Sequence, residues 1–320
     1  MKTTLSNSDA AGLSDNDNRP FIKDLLAKHS SAVEGVRNVI QSDCKELFNR
    51  GDNANRYDDI WILRFVLSYK GNVASASKAA MKTIRFREEK KLNELGDIRH
   101  RLRNLGLAAD DMNKKGSEPL PGYKQYNSCC AENCTAVSLP DKDRGILDYV
   151  DLGKMDHNLK AKNMSIEEEI DCIMHFKEAL FQVNDDVTRR TGRLTKTLQI
   201  IDMENFSFRN FNLVAKREGE ISNALEDYYP QYLGCMLIAN SPSLMSKIWF
   251  AIRPFFPKRV IEKMDFLPPL SKLKKSKETY LKPITKYVAV EHIPERFGGT
   301  DKEWPLPSLG FQFQPPSSSE

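Results

Sequence analysis

The sequence predicts an α/β protein in which a small helical lobe precedes a larger lobe built on a mostly parallel β-sheet. Apolar residues recur at helical spacing through residues 21–91, which is typical of a bundle of amphipathic helices. From about residue 146 onward, short apolar segments alternate with longer amphipathic ones, as in a layered α/β domain. Residues 106–145 are rich in Gly, Pro and Asp and separate the two patterns.

The helical lobe is predicted over residues 20–105. Residues 21–29, 33–49, 58–70 and 73–91 each place their apolar side chains on one stripe. Asp58 and Asp59 stand where a helix N-terminus favours carboxylates, and Gly71-Asn72 ends that helix.

The second lobe is predicted over residues 106–300. Ser165, followed three residues later by Glu168, predicts a capping box at the start of a helix. The segment LGCMLIA at 233–239 is almost wholly apolar, which indicates an internal strand of a parallel sheet. The other predicted elements are strands at 146–150 and 197–203, helices at 210–228 and 243–256, and a Lys-rich helix after residue 267.

The composition favours a soluble, single-chain protein. Of the 320 residues, 40% are hydrophobic, enough for a buried core. Residues 1–19 are polar and residues 314–320 read QPPSSSE, so we expect both ends to be disordered, with residues 301–320 forming a C-terminal tail. The N-terminal residues do not resemble a secretory leader, and no apolar run is long enough to span a bilayer. We therefore expect a cytoplasmic monomer that meets membranes only peripherally.

The six cysteines are expected to be reduced thiols in that compartment. Cys129, Cys130 and Cys134 resemble half of a zinc site, but no second pair completes it. We therefore expect no metal, and the role of this cluster stays open.

Positive charge is concentrated in one segment. The net charge is only +4, which does not indicate a nucleic-acid partner. Residues 253–286, however, contain ten basic and three acidic residues, a local charge of +7. Such a segment is either a solvated helix face or a surface that meets an anionic membrane.

Six blocks of sequence together resemble the CRAL-TRIO family, which includes the yeast-type phosphatidylinositol/phosphatidylcholine transfer proteins and the retinaldehyde- and tocopherol-binding proteins. The blocks are LRFVLSYKGNVASA (63–76), DKDRG…LG (141–153), IIDMENFS (200–207), YYPQYLGCMLIANSP (228–242), IRPFFPKRVIEK (252–263) and HIPERFGG (292–299). The resemblance implies a sheet that floors an apolar lipid pocket and a gate helix that closes the pocket at about 244–267. The ligand would be one bound lipid, with no cofactor.

The resemblance also implies which residues contact the lipid. The headgroup would meet Thr197, Gln199, Gln231 and Lys263. The gate and the tail pocket would comprise Met236, Ile238, Leu244, Ile248, Trp249, Phe255, Phe256, Val260 and Phe266. Members that bind phosphatidylinositol have Glu where this chain has Gln231 and Thr where it has Val260, so only Lys263 keeps the family's residue there. The choline-contacting tyrosines align near Val137 and Asp148, and Tyr123, Tyr126 or Tyr149 are candidate substitutes.

An enzyme is not expected, and no residue is assigned a catalytic role. Asp202 and Glu204 are adjacent carboxylates at a strand end, where α/β proteins often place catalytic groups. We interpret them as structural, since the sequence has no nucleophile elbow, P-loop or dinucleotide motif.

These observations predict a carrier that exchanges one phospholipid between membranes, with phosphatidylinositol as the family default and a role in phosphoinositide metabolism or trafficking. Two alternatives stay open. One is a binder of another hydrophobic ligand, such as a sterol, a retinoid, a tocopherol-like molecule or haem. The other is a lipid-dependent regulatory adaptor.

Overall fold

Six helices form the N-terminal lobe of the protein in a computed structural model. The structure describes residues 17–104, 120–131, 134–138, 144–269, 281–282, 284–285 and 287–302. The helices are α1 (Ile22–Lys28), α2 (Ser30–Asp43), α3 (Lys45–Phe48), α4 (Asn53–Arg56), α5 (Asp59–Ser68) and α6 (Val73–Glu89), followed by 3-10 turns at Leu92–Leu95 and Arg99–Asn104.

The helices of this lobe begin where polar side chains cap them. The Asp58 carboxylate accepts a hydrogen bond from the Trp61 backbone N–H at 3.0 Å, and the Asn72 side chain accepts one from Ser75 N–H at 2.9 Å. Each cap satisfies a donor that the first helical turn leaves without a partner. Helix α5 buries the continuous run from Trp61 to Val66, because it is packed on all sides.

Five strands form one sheet in the order β1-β2-β3-β4-β5. They are β1 (Thr135–Ser138), β2 (Leu147–Asp151), β3 (Thr197–Asp202), β4 (Leu233–Ala239) and β5 (Met264–Phe266). β1 pairs with β2 antiparallel, and every other pair is parallel. The prediction of a mostly parallel sheet with β4 internal is therefore confirmed.

Helices of the second lobe cover one face of this sheet. They are α7 (Tyr123–Asn127), α8 (His157–Asn163), α9 (Ile166–Thr191), α10 (Phe211–Leu225), α11 (Met245–Ile252) and α12 (Lys258–Ile261). The predicted capping box is present, since Ser165 and Glu168 exchange side-chain and backbone hydrogen bonds at the start of α9. The opposite face of the sheet packs on the C-terminal segment through Leu267, Leu281, Ile284, Val288, Ile293 and Phe297.

The structure differs from the sequence prediction at several elements. The loop-rich region 106–145 contains α7 and the edge strand β1, whose four residues are too few for a clear periodic pattern. The helix predicted over 243–256 is shorter, because Pro254 and Pro257 lack the amide donors that a continuous helix needs.

The segment 244–267 is therefore not one gate helix. It consists of α11, a 3-10 turn at Arg253–Phe255, α12 and strand β5. The predicted Lys-rich helix lies mostly outside the described residues. Within the tail predicted over 1–19, Arg19 donates to Thr195 Oγ1 at 2.5 Å, so residues 17–19 are fixed against the second lobe.

Candidate functional site

The sheet and four helices line a cavity of about 170 Å³, which we call the main cavity. Alternation along the strands places every second side chain on its floor. One row of neighbouring residues is Val150, Ile201, Ile238 and Phe266, all apolar; the adjacent row is Asp148, Gln199, Met236 and Met264. The remaining walls are mainly apolar and come chiefly from α7, α9, α10 and α11.

Helix α11 closes the main cavity with one face. Met245, Trp249 and Ile252 line the interior, and the Trp249 ring lies 5.1 Å from the ring of Phe266. The other side of the helix exposes large apolar side chains, since Phe250 is 84% and the preceding Leu244 53% accessible. Exposed apolar side chains that lie close together mark a candidate interaction surface.

A second cavity of about 80 Å³ adjoins the main cavity. Lys177, Gln199, Ser222, Tyr232 and Met236 line both, so they form the boundary between the two spaces. The second cavity is more polar. It brings together three residues that the sequence analysis singled out, Gln231, Val260 and Lys263, with Ser68 and Arg259.

Hydrogen bonds and ion pairs hold two of these side chains. Gln231 Nε2 donates to the Ser68 hydroxyl at 3.0 Å. The Arg259 guanidinium pairs with Glu226 at 2.5 Å and with Asp227 at 2.6 Å, and it lies over the Tyr69 ring at 4.5 Å. Arg259 is therefore neutralised by its own neighbours.

Two lysines at these cavities have no ion pair within the described part of the chain. Burial, together with the nearby Lys196 and Arg259, lowers the pKa of Lys263 to about 8. Burial also lowers the pKa of Lys177, against the opposing influence of Glu218 and Asp148. Two partly desolvated cations that share one space form a site where an anionic group is favoured.

Asp148 is the acidic group on the cavity floor. It is 1% exposed, and one carboxylate oxygen, Oδ2, accepts a hydrogen bond from Gln199 Nε2 at 2.8 Å. Burial raises the pKa of Asp148 to about 7, although Gln199 and Lys177 oppose the shift.

Several predicted site residues lie away from both cavities. Thr197 is fully buried, and its hydroxyl accepts a hydrogen bond from Asn184 Nδ2 at 2.8 Å. Leu244 and Phe255 are exposed, and Ile248 packs in the apolar cluster beneath α11 without lining a cavity. Residues that do line the main cavity are Gln199, Met236, Ile238, Trp249, Phe256 and Phe266; the second cavity is also lined by Gln199 and Met236, together with Gln231, Val260 and Lys263.

Of the candidate substitutes for the choline-contacting tyrosines, two line the main cavity and one does not. Tyr123 and Tyr126 line the main cavity, and the Tyr123 hydroxyl lies 2.7 Å from that of Thr135. Tyr149 points to the opposite face of the sheet, where its hydroxyl donates to Asp202 at 3.1 Å.

Sequence reasoning did not single out Lys177 as a site residue. Lys177 lies in the middle of the long helix α9, and the sequence pattern predicts that a lysine at this position is exposed to solvent. Only the packing of α9 over β3 shows that it faces both cavities.

Asp202 and Glu204, the carboxylates considered as possible catalytic groups, form hydrogen bonds within the fold. Asp202 is fully buried and accepts hydrogen bonds from Tyr149, from Asn240 Nδ2 at 2.8 Å and from the Glu204 backbone N–H at 2.9 Å. Arg296 of the HIPERFGG segment also donates to Asp202, and to Glu204 at 2.8 Å. This network fastens the C-terminal segment to the strand ends.

Thiols of the cysteine cluster donate hydrogen bonds to nearby backbone carbonyls. The Cys130 thiol donates to the Tyr126 carbonyl at 3.5 Å and the Cys134 thiol to the Asp151 carbonyl at 3.3 Å. Within the described ranges, no three His, Cys, Asp or Glu side chains are grouped so that they could hold a metal ion. Likewise, none of the described helices is long and apolar enough to cross a membrane.

A mostly parallel sheet that floors an apolar cavity, covered by a helix with an exposed apolar face, defines a protein that binds small hydrophobic molecules. The family profile of the CRAL/TRIO domain matches residues 132–299, slightly more than half of the chain. The chain therefore belongs to the CRAL-TRIO family, whose members bind lipids and other lipophilic ligands.

Comparison with individual proteins agrees with this assignment. A CRAL-TRIO domain-containing protein of Saccharomyces cerevisiae is 26% identical over 251 residues, covering 77% of this chain and 72% of that protein. The SEC14 cytosolic factor of Eremothecium gossypii is 22% identical, covering 86% of this chain and 77% of the relative. The crystal structure of Sfh5 has the same fold, with a TM-score of 0.53 at 13% identity, covering 79% of this chain and 82% of that one.

Proposed function

We propose that this protein is a carrier that takes one amphipathic lipid out of a membrane, shields it and returns it to another membrane. The observation that carries the proposal is the apolar main cavity, closed by α11 and adjacent to a more polar second cavity. The apolar part of the lipid would fill the first space and its polar end would lie at the second.

The proposed headgroup site is selective for anions. Lys177 and Lys263 contribute positive charge without an ion-pair partner in the described residues, while Gln199 and Gln231 offer amide donors and acceptors. A phosphate satisfies this combination, so a phospholipid is the proposed ligand and phosphatidylinositol is its default within the family. Coupling to phosphoinositide metabolism or trafficking would follow from that ligand.

Exchange would take place at a membrane through α11. Leu244, Phe250 and Phe255 form the exposed apolar part of this region, and the exposed Arg253 and Lys258 supply positive charge beside it. Apolar side chains enter the acyl boundary while basic ones meet anionic headgroups. We propose a cytoplasmic protein that docks peripherally and transiently, as the name of the SEC14 cytosolic factors suggests for those relatives.

The physical benefit of such a carrier is the removal of a desolvation barrier. A lipid tail that leaves a membrane for water exposes methylene groups at about 0.8 kcal/mol each. A lipid that passes from the membrane into an apolar cavity avoids most of this cost. No bond needs to be formed or broken, and no cofactor takes part.

The experiment that tests the proposal is mass spectrometry of the lipid that co-purifies with the protein from a eukaryotic host. A single phospholipid class supports it and identifies the headgroup that Lys177 and Lys263 contact. A sterol, retinoid, tocopherol-like molecule or haem would keep the cavity as the binding site but overturn the anionic headgroup. A folded protein that retains no hydrophobic molecule, and transfers none between vesicles, would overturn the carrier and favour an adaptor.

A further inference from the structure

The second cavity contains a cation that already has a counter-ion. Arg259 lines this cavity with a side chain that is 33% exposed, and it pairs with Glu226 at 2.5 Å and with Asp227 at 2.6 Å. Lys177 and Lys263 line the same cavity. Among the described residues that line it, Glu226 is the one acidic side chain. Glu226 therefore lies in the space that an anionic headgroup would enter.

The two carboxylates that hold Arg259 differ in how firmly they are fixed. Asp227 also accepts hydrogen bonds from the Tyr69 hydroxyl and from Lys82 Nζ, both at 2.9 Å, which tie it to the helical lobe. Glu226 follows the last residue of α10, is 19% exposed and has Arg259 as its one hydrogen-bond partner among the described residues. The Arg259 guanidinium also lies over the Tyr69 ring at 4.5 Å. Asp227 and Tyr69 can therefore hold Arg259 in place when Glu226 moves aside.

We propose that Glu226 is a replaceable counter-ion, which the phosphate group of a bound lipid displaces from Arg259. The guanidinium then joins Lys177 and Lys263 in holding the headgroup. A phosphate monoester carries a charge of about −1.5 to −2 at pH 7 and three acceptor oxygens, so it competes better for a guanidinium than a carboxylate does. A neutral polar group does not displace Glu226, which makes Glu226 a specificity-determining residue. This inference rests on the proposed lipid-binding function and specifies how its headgroup site selects charge.

Two amphiphiles with the same tail measure this selection: dodecyl phosphate and the neutral 1-dodecanol. Each is titrated at pH 7 against the full-length protein loaded with the apolar fluorophore Nile red, and the concentration that displaces half of the dye is determined. The ratio of these concentrations, alcohol over phosphate, reports how strongly the protein favours the anion. We expect Glu226→Gln to raise this ratio about tenfold, because a neutral amide competes less well for the guanidinium.

Further variants show whether the gain comes from Arg259. Glu226→Gln combined with Arg259→Met should lose the whole gain, since no guanidinium is left to release. Arg259→Met alone should lower the ratio below that of the wild type, so the test does not depend on the folding of Glu226→Gln. The matched control is Glu220→Gln, which removes an exposed carboxylate of α10 that lines neither cavity and should leave the ratio unchanged.

Inorganic phosphate distinguishes a lipid headgroup from a free anion. Millimolar phosphate, compared with chloride at the same ionic strength, should not alter the displacement of Nile red by dodecyl phosphate, because free phosphate gains nothing from the apolar cavity. Weaker displacement in phosphate than in chloride would show that the cations hold a free anion, and it would overturn the assignment to a lipid headgroup.

The remaining outcomes distinguish the inference from the proposal beneath it. If Nile red does not bind, or neither amphiphile displaces it, the carrier function fails and the inference fails with it. The role of Glu226 is overturned, while the carrier stands, if both amphiphiles displace the dye and Glu226→Gln leaves the ratio unchanged. The same conclusion holds if the gain survives the loss of Arg259 or is equally large in Glu220→Gln.

Discussion

Among single residues, burial determines how the charged side chains at the two cavities behave. Lys263 has lost much of its hydration and has like charges nearby in Lys196 and Arg259, so its charged form is unfavourable in the folded protein. Arg259, by contrast, keeps its charge through Glu226 and Asp227. A buried cation that has no ion-pair partner lowers the stability of the fold and can bind an anionic ligand.

We expect Lys263→Met to stabilise the protein and to weaken anionic lipid binding. The pKa of Lys263 falls from 10.5 to about 8 on folding. The charged lysine therefore destabilises the fold fully below pH 8, and this destabilisation is lost as the pH rises from 8 to 10.5. Chemical denaturation at pH 7 should show a gain of about 1–2 kcal/mol for the variant, which shrinks towards pH 10. Glu226 partly offsets the effect of Lys177, Lys196 and Arg259 on this group.

The binding part of this prediction has a matched control. Wild-type affinity for vesicle-derived phosphatidylinositol should fall as the pH rises through 8, because the anion needs the protonated amine of Lys263. The variant should bind about tenfold more weakly at pH 7 and lose affinity less steeply with rising pH, since of the two lysines only Lys177 remains at the site. Lys162→Met removes an exposed lysine of α8 that lines neither cavity, and it should change neither quantity. Equal losses for both variants would mean that general surface charge, rather than Lys263, attracts the lipid.

At the scale of secondary-structure elements, α11 is the part of the site with two functions. Its inner side chains complete the cavity, and its outer apolar side chains have no partner among the described residues. The 3-10 turn that follows is pressed against α10: a Cβ on Gly219 would lie 2.8 Å from the Phe255 carbonyl oxygen, and Asn223 donates to that oxygen at 2.8 Å. The end of α11 is thus held close to α10 at Gly219 and Asn223.

Replacing Leu244 and Phe250 together by Asp should reduce vesicle-to-vesicle transfer at least tenfold. Each apolar side chain contributes about 1.5–3 kcal/mol when it leaves water, and the replacements remove this from membrane docking. Neither residue lines a cavity, so Nile red binding in solution should be retained.

The control for this experiment is Leu159→Asp, which places one carboxylate at an exposed apolar residue on α8. Transfer by that variant should equal that of the wild type. Normal transfer by the α11 variant, or the same loss in both, would exclude α11 as the docking element.

Over the whole molecule, the two lobes are joined by a buried ion pair. Arg87 of α6 donates to both carboxylate oxygens of Glu178 on α9, at 2.8 and 2.9 Å, with side chains only 6% and 2% exposed. A bidentate pair of this kind fixes the angle between the elements that it connects. Since α9 also carries Lys177 into the cavities, the position of the helical lobe helps to set the geometry of the site.

We expect Glu178→Gln to lower the free energy of unfolding by about 3 kcal/mol, because it leaves a buried guanidinium without its counter-charge. Burial alone would raise the pKa of Glu178, but Arg87 holds it below its usual 4.5. The contribution of the pair is therefore complete above pH 4.5 and is lost as the pH falls through the lower native pKa. Urea denaturation at pH 7 and at pH 3.5 measures both effects.

The paired variant Arg87→Met with Glu178→Met removes both charges. It should recover most of the stability that Glu178→Gln loses, since apolar side chains of similar volume replace the pair. A double variant as unstable as the single one would show that Arg87 and Glu178 stabilise the protein through other contacts.

The sequence by itself determined the longer helices and strands and their order. Helical spacing, the Ser165–Glu168 box and the apolar run of β4 depend on neighbours within a few positions, so local patterns predict them. The six blocks of motif likewise indicated the family. By contrast, the short strands β1 and β5 have three or four residues each and form only because longer strands are available to pair with them.

Only the tertiary structure decided which side chains meet. Gln231 lies before β4, and Val260 and Lys263 lie in and just after α12, yet all three line the second cavity. Thr197 on the floor strand instead accepts a hydrogen bond from Asn184. The pKa shifts of Lys177 and Asp148 arise from desolvation, which is a property of the packed molecule. Burial, charge compensation and contact across the sheet are long-range quantities, and local sequence does not encode them.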